Sequence, residues 1–159
     1  MSQSKIQAFT TEASPALESH FQTLLGQEIT FKSVAATEAT IDQIKTGATS
    51  NFTLVGKPEG SEVFIVQLQP AWIPVISNAM VGRAMDAEDE GVQDLAGQVL
   101  TQSYKVLQTS NAGLPALEME PFSPGAWTAE ESLAESYWLV PFSIEVADQS
   151  LEGQIYVSA

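Results

Sequence analysis

The sequence repeats itself, and repetition on this scale leaves few folds open to a short chain. The segment Ala16–Leu68 can be laid on Val92–Val157, each opening with an amphipathic helix. In the first, Leu17, Phe21, Leu24 and Leu25 fall at helical spacing and the run stops at Gly26, a natural C-terminal glycine. Pro15, just before it, is expected to shorten this helix at its start. In the second, Val92, Leu95, Ala96, Val99, Leu100, Ser103, Val106 and Leu107 form a stripe of period 3.6 that ends near Gly113. A short strand is expected after each glycine, over Glu28–Val34 and Leu117–Phe122, and then a polar stretch, Thr37–Ala48 against Ser123–Leu133. A hairpin closes each copy. Ser50–Val55 turns through Gly56–Gly60 into Glu62–Leu68, and Ser136–Val146 turns through Ala147–Ser150 into Leu151–Ser158, aromatic and β-branched runs around polar turns. Two copies of helix, strand and hairpin predict an α+β fold in one domain.

The two copies are joined by Pro70–Arg83, where Pro74 sits near the start of a short connecting helix. The expected layout is one domain over 1–159, with repeat one at about 14–69, the connecting helix at about 70–84 and repeat two at about 86–159. Asp86, Glu88, Asp89 and Glu90 crowd the start of the second long helix, where carboxylates complement the positive end of its dipole. That explains the acidic run without a metal. It also lacks the alternate-residue ligand spacing and central glycine of a calcium loop.

Composition removes whole classes of function. A chain of 159 residues without cysteine has no disulfide, thiolate metal site or cysteine nucleophile. Six basic residues against twenty acidic ones give a net charge of −14, which a phosphate backbone would repel, so no nucleic-acid partner is expected. The apolar stretch Val63–Val81 is broken by Gln67, Gln69, Pro70, Pro74 and Asn78, too polar for a membrane span. No signal peptide is visible at the start, and the cytoplasm is the expected compartment. His20 is the only histidine and cannot by itself build a histidine metal site. Of the tryptophans, Trp138 is expected in the core, whereas Trp72 and Trp127 are candidates for an interface.

The order of these pieces resembles the chemotaxis and flagellar-switch proteins of the CheC/CheX/FliY/FliM type. Leu68-Gln69-Pro70-Ala71, a helix ending near Gly82, an acidic linker and a long helix resemble the FliM middle domain. Thr23-Leu24-Leu25-Gly26-Gln27-Glu28-Ile29 is similar to the end of the first helix in CheC and FliY. Gln98-Val99-Leu100 with Ser103-Tyr104 resembles the start of the second CheC helix, and Phe142–Tyr156 the closing strands. The resemblance implies a pseudo-two-fold duplication with two long helices packed on one face of a mostly antiparallel sheet. It implies a CheY-like response regulator or a flagellar-switch component as partner. No cofactor of the chain's own is implied, any Mg2+ belonging to the response regulator.

CheC and CheX dephosphorylate CheY with a Glu-x-x-Asn pair on an exposed helix, the Glu anchoring the partner's lysine and the Asn orienting water. In this chain the matching positions are Leu95 and Gln98, and in the first copy Ala8 and Thr11, so neither copy keeps the motif. Asp94 and Gln98, spaced i,i+4, share one helix face instead. The pair resembles the Asp-x-x-x-Gln of the unrelated helical phosphatase CheZ, and makes Asp94 and Gln98 the candidate catalytic residues, with Glu90, Thr101 and Gln102 as candidate partner contacts. Amphipathic helices also produce such pairs as plain solvated positions. The alternative is a non-catalytic scaffold like the FliM middle domain. A homodimer through an unpaired edge of the last hairpin is a further expectation.

Overall fold

A computed structural model describes residues 2–57, 64–86, 89, 91–110, 118–127, 136–146 and 148–158. Helix α1 spans Gln3–Leu25, capped by the Ser2 hydroxyl, which accepts from the Lys5 amide, and closed by Gly26 in the left-handed conformation. The helix therefore does not start after Pro15 but runs through it, contrary to the sequence expectation. The reason is the stripe Ile6, Phe9, Ala13, Leu17, Phe21 and Leu25, all buried, which continues on both sides of the proline. Burying three more apolar side chains offsets an interior proline, which costs about 3 kcal/mol. Around the break, hydroxyls bond back to the helix: Thr10 to the Ile6 carbonyl, Thr11 to Gln7 and Ser14 to Thr10.

The stretch Thr37–Ala48 is not featureless. It forms strand β2 (Thr37–Thr40) and helix α2 (Ile41–Ala48), the latter started by a reciprocal capping box between Thr40 and Gln43. Helix α3 (Trp72–Val81) is the expected connection and ends at Gly82; helix α4 (Val92–Ser110) is the second long helix. The remaining strands are β1 (Thr30–Ser33), β3 (Phe52–Lys57), β4 (Phe64–Leu68), β5 (Glu118–Phe122), β6 (Ser136–Val146) and β7 (Gln149–Ser158).

All strand pairings are antiparallel, in the order β1-β6-β7-β4-β3-β5, with β2 also pairing to β6. Exchanging β1 with β5, β3 with β6 and β4 with β7 gives the same order read from the opposite edge. The last hairpin thus lies inside the sheet, β6 flanked by β1 and β2 and β7 by β4. The edge on which self-association was expected is occupied. Between β1 and β2 the edge breaks at Val34–Ala36, opposite Pro141, whose carbonyl accepts from the Val34 amide. Amide and carbonyl of one strand residue point the same way, so proline's missing donor faces the break.

One face of the sheet carries α1, α3 and α4 over a core that includes Phe9, Phe21, Leu54, Phe64, Trp72 and Phe142. The other carries α2, with Ile44, Ala48, Trp127, Tyr137 and Tyr156 in a smaller cluster. Trp72 is fully buried, its indole N–H donating to the Glu152 carbonyl at 2.8 Å, and Trp127 is also buried. Both tryptophans are core residues rather than the interface residues expected from their proline- and glycine-rich surroundings. Trp138 packs partly buried against the larger core. Among the described residues, no helix is long and apolar enough to cross a membrane.

Candidate functional site

Helix α4 divides its residues by face. Val92, Leu95, Ala96, Val99, Leu100, Tyr104 and Leu107 face the core, leaving Asp94 and Gln98 exposed and Thr101 and Gln102 half-buried. These four line a groove of about 400 Å3 between α4 and the edge strand β5, whose Pro121 forms the opposite wall. Four of the five residues picked from the sequence thus come together; Glu90 lies outside the described residues. Neither Asp94 nor Gln98 has a side-chain hydrogen bond or ion pair among the described residues, so both polar groups are available to a docked surface. Leu95, at the position matching the family's Glu, is in the core. A carboxylate there would be desolvated, whereas Asp94 and Gln98 lie on the solvent side of the helix.

Gly97 brings the wall close. A β-carbon at this position would lie 2.8 Å from Pro121 Cγ, so only glycine lets β5 approach α4 beside the Asp94–Gln98 pair. Lys105 lines the far end of the same groove, and Gln93 the near end. Sequence reasoning missed Lys105, Gly97 and Pro121. Lys105 was within reach, since it lies eleven residues after Asp94, close to three helical turns. Pro121 was not, because its approach depends on the β3–β5 pairing.

The buried side of α4 is tied to α1. The Ser103 hydroxyl donates to the Val99 carbonyl at 2.9 Å, which leaves its oxygen to accept from His20 Nε2–H at 3.2 Å. Burial lowers the His20 pKa from its ordinary value by desolvation. No group of three or more His, Cys, Asp or Glu is placed to hold a metal among the described residues.

A second groove, of about 420 Å3, runs along the first half of α1 against the β1–β2 break, lined by Gln7, Thr10, Thr11 and Ala36 among others. It contains Thr11, the residue matched to the family's Asn in the first copy, but among the described residues no acidic or basic one lines it.

No protein-family model matches this sequence, and no curated protein matches it. Solved structures do. The FliM middle domain from H. pylori superposes with a TM-score of 0.77 at 10% identity, covering 98% of this chain and 91% of that one. FliY from Thermotoga maritima gives 0.69 at 16% identity, covering 93% and 84%. A chain of the CheX–CheY–BeF3–Mg2+ complex from Borrelia burgdorferi gives 0.55 at 17% identity, covering 97% of each. The α+β architecture with its antiparallel sheet is therefore the CheC/CheX/FliM-type fold.

Proposed function

We propose that this protein acts in bacterial chemotaxis or flagellar switching by docking a phosphorylated CheY-like response regulator on the α4–β5 face. The observation that carries this reading is the exposed pair Asp94 and Gln98 on the wall of a groove, with no side-chain partner among the described residues. In this reading Asp94 takes a lysine ammonium of the receiver. The Gln98 carboxamide holds a water in line with the aspartyl phosphate. Water oxygen bonds to phosphorus while the phosphorus–carboxylate oxygen bond breaks, releasing inorganic phosphate and the free aspartate. Phosphoryl transfer asks mainly for positioning and charge compensation, which one carboxylate and one amide can supply. Any Mg2+ is the receiver's, and the compartment is the cytoplasm, where such receivers work. We take the two halves, whose strands can be exchanged to give the same sheet order read from the opposite edge, as copies of one unit.

The second reading is a scaffold that binds a switch component without chemistry, and Leu95 in place of the family's Glu favours it. One experiment separates the two. Loss of acyl phosphate from phosphorylated CheY of the same organism is followed with the protein and with Gln98→Ala. Acceleration that disappears in the variant supports the phosphatase. Binding without acceleration leaves a scaffold, and neither binding nor acceleration overturns the docking of a CheY-like receiver.

A further inference from the structure

The α4–β5 groove has two poles. Asp94 stands at one end and Lys105 at the other, and the side chains between them on its lining, Gln98, Thr101 and Gln102, are neutral. Eleven helical residues separate the two, which places them about 16 Å apart on one face of α4. Lys105 is exposed, and it is one of six basic residues in a chain of net charge −14. In such a chain a lysine has carboxylates to choose from, yet its neighbours on the helix at i±3 and i±4 are Thr101, Gln102, Gln108 and Thr109, all uncharged. The one ion pair among the described residues joins Lys32 to Glu145 on β1 and β6, away from this face. Lys105 makes no side-chain hydrogen bond or ion pair among the described residues. By contrast, none of the described residues lining the groove on α1 is charged.

We infer that Lys105 is a positioning residue that engages an acidic side chain of the docked receiver domain, while Asp94 engages its cation. The two ends together set the orientation of the receiver along the groove. This rests on the docking reading above and adds to it the partner's charge pattern, a positive and a negative group about 16 Å apart. With both poles satisfied, a receiver turned end to end meets like charge twice, so the arrangement selects orientation more than it adds affinity.

The test measures association of a beryllofluoride-activated CheY-like receiver from the same organism with the full chain, at low and at moderate salt. Lys105→Glu is expected to weaken binding about tenfold and Lys105→Ala about threefold, chiefly through slower association, and Lys105→Arg to change little. The gap between wild type and Lys105→Glu is expected to close as salt rises, which loss of local packing would not produce. Wild type that binds while Lys105→Glu binds equally well at both salts overturns the role of Lys105 and leaves the docking reading standing. Wild type that fails to bind overturns the docking reading itself. Circular dichroism and urea midpoints of the exposed-site variants show whether the fold is retained.

Discussion

Gly97 and Pro121 touch so closely that a β-carbon on Gly97 would lie 2.8 Å from Pro121 Cγ and 3.0 Å from its Cβ. The contact joins the helix that bears Asp94 and Gln98 to the edge strand that walls their groove. Gly97→Ala gains about 1 kcal/mol of helix preference but must push β5 away, and we expect a net loss of about 1–2 kcal/mol in urea denaturation. Pro121→Ala removes the nearer ring carbon, so the double variant should be more stable than Gly97→Ala alone. Equal stability of the two would show that the contact is not what glycine is kept for.

Pro15 interrupts α1 on its exposed side while the apolar stripe passes beneath it. Pro15→Ala restores an amide donor to the helix interior and should raise stability by about 1–3 kcal/mol. A higher urea midpoint with an unchanged slope is the expected reading.

Gly47 in α2 lies against the Gln67 carboxamide, whose nitrogen donates to the Ile44 carbonyl at 2.9 Å. A methyl at 47 would occupy the space of the Gln67 oxygen, so Gly47→Ala should lose about 1–3 kcal/mol. Combined with Gln67→Ala, the loss should be smaller than the sum of the two single losses. Strict additivity would argue that α2 simply moves aside.

His20 gives a pH dependence whose sign follows from desolvation. Its pKa is lowered from 6.5 in the fold, so the unfolded chain takes up the proton first as pH falls. The neutral imidazole's contribution is complete above pH 6.5 and is lost as pH drops toward the folded value. Stability of wild type should therefore fall more steeply than that of His20→Gln between about pH 7 and pH 5. A constant difference between the two across that range would remove His20 from the account.

The long periodic pieces of the fold were legible in the sequence because their patterns are local. The stripe of α4 and the hairpins β3–β4 and β6–β7 follow directly from apolar spacing and turn residues. The first half of α1 was equally legible in Ile6, Phe9 and Ala13, but Pro15 outweighed them, as a breaker does when burial is not yet known. Helix α2 was announced by Thr40 and Gln43, a capping box too short to notice inside a polar stretch. The burial of Trp72 and Trp127 and the interior position of the last hairpin depend on which distant strands meet, and no spacing reports that. The same division holds at the site. Asp94, Gln98, Thr101 and Gln102 share a helix face by arithmetic, whereas Pro121 reaches them only through the sheet.

The middle of the sheet is the pairing of β4 with β7, from Phe64 opposite Val157 to Leu68 opposite Gly153. During synthesis, β4 leaves the ribosome with β3 already made but well before β7 exists, and every residue of that strand is destined for burial. For several seconds at ordinary elongation rates the nascent chain exposes a bare Phe-Ile-Val-Gln-Leu edge, a ready template for pairing with another copy. A break in synthesis anywhere before β7 would strand the molecule in that state. The chain is thus exposed to aggregation at birth in a way the finished sheet, with that strand sealed inside, gives no sign of.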